Sequence, residues 1–188
     1  MRKSFTDIAF TESVKATQSL YGTRELQRRR ESSAQKNNEL SHYEIAYIAS
    51  RDSFYQATVA ENGWPYIQHK GGPVGFLKVL DPHTIAYADY SGNKQYLSTG
   101  NLTANDKVSL FLVDYPNGIR LKIWGEAKIV HEAEDPDLFR IVRDPAYPYK
   151  VERTIVIHVD AYDWNCPQHI TPRYTQSEIE ALLRVSEG

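Results

Sequence analysis

One cysteine, Cys166, occurs in the 188 residues of this chain. That is too few for an intrachain disulfide or a cysteine-rich zinc site, and a chain so poor in thiols is expected in a reducing compartment, the cytoplasm. No apolar run comes near the roughly 20 residues that cross a bilayer, so no membrane association is expected. The stretch from Met1 to Asp7 has no apolar segment of the signal-peptide kind. Neither sign of charge is in excess: the formal net charge is −2, which argues against a nucleic-acid partner held by bulk charge. The sequence also lacks G-x-G-x-x-G after a strand, G-x-x-x-x-G-K-[ST], G-x-S-x-G, and H-E-x-x-H among its six histidines. A dinucleotide fold, a P-loop, a hydrolase elbow and a zinc protease are therefore not expected, and no metal site is assigned.

What is present is a globular balance, with 41% hydrophobic and 24% charged residues and thirteen tyrosines. The length fits one domain with a core of its own, and the aromatic content leans towards sheet. The first 40 residues read as a helical extension, with Thr11 capping a helix that Gly22 ends. The run Arg24, Arg28, Arg29 and Arg30 either grips a phosphate or forms a solvated helix face. Ser41 and Glu44 have capping-box spacing and predict a helix over 41–50. Strands follow: Phe54 to Val59, a hairpin at Asn62-Gly63, Trp64 to Lys70, a break at Gly71-Gly72-Pro73, Phe76 to Leu80, and Thr84 to Tyr90. Lys107 to Tyr115 and Ile119 to His131 form a second hairpin around Pro116-Asn117-Gly118. Asp135-Pro136 starts a short helix, Arg153 to Tyr162 is a last strand, and Thr175 with Glu178 caps a C-terminal helix. About six strands in meander order suit a small antiparallel barrel or sandwich better than a doubly wound sheet.

Two regions carry chemistry. From Gln68 to Gln95 glycines alternate with Lys70, Lys78 and Lys94, and Gly92-Asn93 favours a turn with exposed amides. Such a stretch suits a planar, anionic cofactor, though glycine-rich hairpins with lysines also occur as plain surface. The tract from Asp163 to Arg173 gathers Trp164, Cys166, His169 and Arg173 around two stiffening prolines, which is hard to explain by packing alone. Cys166 reads either as a reactive thiol or as a small packed residue, and His169 either as a proton donor or as a structural hydrogen-bonding group.

At these residues the sequence resembles the pyridoxamine 5′-phosphate oxidase-like FMN-binding family. The thread runs through Lys78, Tyr87-Ala88-Asp89, Asn93-Lys94-Gln95, Lys107 to Phe111 and Arg120 to Gly125. The resemblance implies a mainly β fold: a six-stranded antiparallel split β-barrel over 41–188, with flanking helices at the N- and C-termini. It further implies a homodimer with FMN at the subunit interface and a small-molecule substrate, with NAD(P)H as a possible electron donor. By the same resemblance Val74, Phe76, Leu77 and Lys78 line the flavin and the start of its phosphate tail, and Ala88 and Asp89 lie beside the ring and ribityl chain. Asn93, Lys94 and Gln95 face the phosphate, Arg120 reaches the flavin from the partner subunit, and Trp164 and Arg173 complete the site. Pro73 stands where the family carries an arginine, so Lys70 is expected to supply that charge. Gln168 to Arg173 replace the family's pyridoxal-phosphate signature, so the vitamin B6 reaction itself is not expected. The resulting expectation is an FMN-dependent oxidoreductase with His169 as proton donor. The alternative is a flavin- or haem-binding carrier or sensor without turnover, and a deazaflavin is the other cofactor the fold accepts.

Overall fold

In the computed structural model, residues 4–33, 38–165 and 168–186 are described. Three helices, α1 (Phe5–Ala9), α2 (Glu12–Leu20) and α3 (Arg24–Ser33), precede α4 (His42–Ala49). The strands are β1 (Ser53–Val59), β2 (Pro65–Gly71), β3 (Lys78–Asp81), β4 (Thr84–Tyr90), β5 (Lys107–Asp114), β6 (Ile119–Val130) and β7 (Val151–Trp164). Helix α5 (Leu97–Ala104) links β4 to β5, α6 (Pro136–Val142) links β6 to β7, and α7 (Gln176–Ser186) follows. No helix among the described residues is long and apolar enough to cross a membrane.

All seven strands form one antiparallel sheet in the order β2-β1-β5-β6-β7-β4-β3. The fold is mainly β, as expected, but it has seven strands and is not a simple meander. The tight turns keep β1 beside β2 and β5 beside β6, whereas α5 carries the chain from β4 across to a strand that pairs with β1. The sheet curls because its inner face must be buried. β5 shows this at single-residue resolution: Val108, Leu110 and Leu112 are buried while Ser109, Phe111 and Val113 face outward. The inward residues of β1, β4, β6 and β7, among them Phe54, Ile85, Tyr87, Ile123 and Ile157, join the same cluster. β1 and β4 stand four places apart in the sheet, yet the rings of Phe54 and Tyr87 lie 5.2 Å apart. Each large aliphatic side chain fully buried there contributes roughly 1.5–3 kcal/mol. β2 and β3 remain unpaired edges, so the barrel is split rather than closed.

Helices plug the remaining openings. The Ser41–Glu44 capping box forms as its spacing predicts, and Tyr47 of α4 donates from its hydroxyl to the carbonyls of Leu112 and Ile119 at 3.3 and 3.1 Å. Ala86 and Ala88 on the outer side of β4 are small enough to admit Phe139 and Val142 of α6. Near the N-terminus, α1 lays Phe5 against Trp124 of β6, ring centroids 4.8 Å apart, with the Lys122 ammonium 5.0 Å from the Phe5 ring centre.

β6 and β7 slip register between Trp124 and Gly125. A Cβ placed on Gly125 would lie 2.2 Å from the His158 carbonyl oxygen, which is backbone and cannot swing aside. Gly125→Ala is therefore expected to lower stability by about 2–3 kcal/mol in urea unfolding. Gly100→Ala, in α5 with open space around it, is expected to raise stability by up to about 1 kcal/mol.

Candidate functional site

A polar cleft opens where the inner faces of β2 and β4 end. Strand alternation aims Tyr66, Gln68 and Lys70 of β2 inward, and Asp89 occupies the last inward position of β4 after Ile85 and Tyr87. Lys70 Nζ donates to Asp89 Oδ1 at 2.8 Å. Arg153 shares inward parity with Ile155 and Ile157 on β7 and is 7% exposed. Its guanidinium donates to Thr99 Oγ1 at 2.9 Å and to Glu152 Oε2 at 2.6 Å, lies 3.7 Å from Asp89 Oδ2, and sits 4.9 Å from the Tyr96 ring centre. The other Glu152 oxygen accepts from Lys94 Nζ, and from the Tyr96 hydroxyl at 3.4 Å. Hydrogen bonding to Glu152 holds the Lys94 amine above its usual value and, reciprocally, lowers the Glu152 carboxyl.

The loop between β4 and α5 is shaped to present backbone. Lys94 and Tyr96 have φ of 66° and 53°, a left-handed conformation that costs non-glycine residues on the order of 1 kcal/mol or more and persists only where the surroundings hold it. Tyr96 gives α5 no side-chain cap, so the first-turn amides of Leu97, Ser98 and Thr99, residues that line the cleft, carry the positive end of the helix dipole. Three cations meet two carboxylates here, a residual charge of one sign that suits an anion. The cleft encloses about 50 Å3, against roughly 300–1,000 Å3 for small-molecule pockets. By itself it seats one end of a ligand and leaves the other end to another surface.

A second cavity of about 340 Å3 lies elsewhere, between the segment after α4, the Val74 turn, the β5–β6 turn and the start of α7. Arg51 at its wall is ion-paired with Asp114 at 3.1 Å, and the exposed Arg173 guanidinium sits 5.1 Å from the Tyr115 ring centre. It shares no lining residue with the cleft.

Of the residues singled out in the sequence, Lys70, Asp89, Asn93, Lys94 and Gln95 come together in the cleft. Val74 and Arg173 meet in the second cavity instead. Phe76 and Leu77 are 2% exposed, with Phe76 stacked on Phe54 at 5.5 Å, and Ala88 is buried under α6. None of those three side chains opens onto the cleft, since Phe76 and Leu77 pack into the core just ahead of β3 and Ala88 lies on the outer side of β4, so each has its backbone to offer a ligand. Lys78 is half-buried on β3 opposite Ala86. Arg120 is the second residue of β6, where its carbonyl accepts from the Asn165 amide at 3.2 Å. Trp164 is tied to α4: its indole N–H donates to Glu44 Oε1 at 2.8 Å and its ring packs on Tyr43 and Tyr47. His169 is exposed, in a left-handed turn with φ 65°, and lines neither cavity. Cys166 lies outside the described residues. In α3, Arg24 and Arg28 pair with Glu31 and Glu25, as on a solvated helix face. No group of three or more metal-ligating side chains occurs among the described residues.

Sequence reasoning missed Glu152, Arg153 and Tyr96. The available signal was parity: Arg153 is a charge at an inward position of a strand whose other inward residues are apolar. Removing Asp89 strands Lys70 and Arg153 without their shared carboxylate, so Asp89→Ala is expected to cost about 3 kcal/mol in urea unfolding. Burial raises the Glu44 carboxyl, but hydrogen bonds from Ser41 and Trp164 outweigh it and leave it below its usual 4.5. Its contribution to stability is thus full above pH 4.5 and is lost as pH falls through the lower folded value. Glu44→Gln is expected to flatten that acid limb in a pH series of unfolding midpoints.

The sequence profile of the pyridoxamine 5′-phosphate oxidase family matches residues 44–162. Solved structures of similar fold include a candidate pyridoxamine 5′-phosphate oxidase from Lactobacillus delbrueckii, at 21% identity over 68% of this chain and 95% of that one, with a TM-score of 0.52. HupZ from Group A Streptococcus aligns at 18% identity over 72% of this chain and 100% of its own, with a TM-score of 0.51. No curated protein matches the chain. At these identities the structural likeness establishes the split-barrel architecture.

Proposed function

The chain belongs to the pyridoxamine 5′-phosphate oxidase family, and on that premise we propose that it is a cytosolic, homodimeric FMN protein that exchanges a hydride or electrons between the flavin and a small molecule. One observation carries the reading: Lys70, Lys94 and the uncapped first turn of α5 line a single cleft, with the buried Arg153 paired behind its wall to Asp89 and Glu152. That donor set fits a phosphate monoester, which accepts hydrogen bonds from ammonium, guanidinium and backbone N–H groups alike. Bound flavin supplies the redox chemistry, and the protein's part is to place and polarise it. Lys94 and the α5 amides would neutralise the phosphate, while the Lys70–Asp89 pair fixes the wall beside it. The backbone of 74–78 would offer N–H and C=O groups to the polar edge of the ring.

The rest of the ring needs a second wall, and a second subunit supplies one in this reading. The outer face of β2-β1-β5 leaves Ile67 65% exposed and Tyr55 38% exposed, apolar surface that association would cover. Arg120 and Arg173, both outside the cleft, would then approach the flavin from the partner, with Arg120 or Lys122 beside the edge that becomes anionic on reduction. The position of His169 outside both cavities favours a second reading, a flavin- or haem-binding carrier without turnover, because the proton donor expected from the sequence does not line the cleft.

Purified protein is expected to be yellow, or to become so on adding FMN, and to sediment as a dimer. FMN is expected to bind at least about tenfold more tightly than riboflavin, and Lys94→Ala to lose about tenfold for FMN alone. Protein that stays colourless with FMN would sink the proposal. Reduction by NADPH or NADH in stopped flow, followed by turnover with an acceptor, separates the oxidoreductase from the carrier.

A further inference from the structure

We propose that Glu152 is an internal substitute for the phosphate, competing with the incoming anion for the cations of the cleft and so setting its affinity. The proposal rests on the anion reading of the cleft given above. Every cation in and behind the cleft wall has a carboxylate partner: Lys70 has Asp89, Arg153 has Glu152 and Asp89, and Lys94 has Glu152. The Glu152 side chain is 12% exposed, and its two oxygens accept from an ammonium, a phenol and a guanidinium. A phosphate oxygen would accept from the same three donor types. Binding is thus an exchange of one anion for another rather than the filling of an open positive site.

The carboxylate is poorly placed to leave. It sits at the start of β7, next in sequence to the buried Arg153, whose guanidinium it accepts from. Lys94 is freer, with a side chain 55% exposed on a turn. An arriving dianion therefore draws Lys94 to itself while Glu152 stays close, and the like charges at short range weaken binding. Neutralising Glu152 without changing its shape removes that repulsion and leaves Lys94 available.

The test compares wild type, Glu152→Gln, Lys94→Gln and the double variant, titrated with FMN and riboflavin by fluorescence and with inorganic phosphate by thermal shift. Glu152→Gln is expected to bind FMN and inorganic phosphate about tenfold more tightly, with riboflavin unchanged and the gain abolished in the Lys94→Gln background. Unchanged or weaker anion binding by a folded Glu152→Gln overturns the proposal and makes Glu152 a support of the loop alone. Glu152→Ala gives the same comparison should the glutamine variant misfold. If Glu152→Gln gains inorganic phosphate while no variant takes FMN, the flavin reading falls and this one stands. If wild type takes FMN and the variant gains neither ligand, this proposal falls alone.

Discussion

The constraint on which the rest of the molecule depends is the need to bury one face of a single seven-stranded sheet. A flat sheet of that width would leave Phe54, Leu110, Ile123, Ile157 and Tyr87 facing water. Curling brings strands four places apart into ring contact, and the curl creates the cleft as a by-product. Inward positions near the strand ends lie where the apolar interior gives out, and those positions carry Lys70, Asp89 and Arg153. The chemistry of the cleft is thus the polar continuation of the core.

Electrostatically the cleft is balanced nearly to neutrality, which explains how three cations can crowd together in a protein whose overall charge is −2. The Lys70–Asp89 and Arg153 pairs are shielded from water, so their attraction is stronger than on an open surface and the loss of one partner is correspondingly severe, whereas Lys94 pairs with Glu152 from an exposed turn. The strained backbone at Lys94 and Tyr96 belongs to the same account. Left-handed residues are held in place by the Lys94–Glu152 pair and by the Arg153 guanidinium over Tyr96, so the loop conformation and the charge pattern sustain each other.

Much of this was legible in the sequence where local rules decide. The Ser41 capping box, the hairpins at Asn62-Gly63 and Asn117-Gly118 and the proline at the start of α6 all mark elements that form. Long-range pairing was not legible: nothing local tells β1 to add β5 as its second neighbour, so a meander was expected. Helix α5 escaped notice because Ser98, Thr99 and Gly100 are weak helix formers and Tyr96 is no ordinary cap. The family resemblance grouped Lys70, Asp89, Asn93, Lys94 and Gln95 correctly as neighbours, since they sit on adjacent inward positions and one loop. Phe76, Leu77 and Ala88, which the resemblance set beside the flavin, have side chains packed away from the cleft, and a sequence thread does not carry that packing. The resemblance set Val74 and Arg173 at the same flavin site, whereas the turns bring them to the second cavity.

The two unpaired edges give the barrel a seam. Across it, β2 and β4 are joined by side chains such as Lys70 and Asp89 rather than by a ladder of backbone hydrogen bonds. Opening that seam breaks one ion pair and a few packed contacts, whereas parting β6 from β7 would break the longest ladder in the sheet. Amide protons on the outer edge of β2 and in β3 will therefore exchange with solvent far sooner than those of β6 and β7.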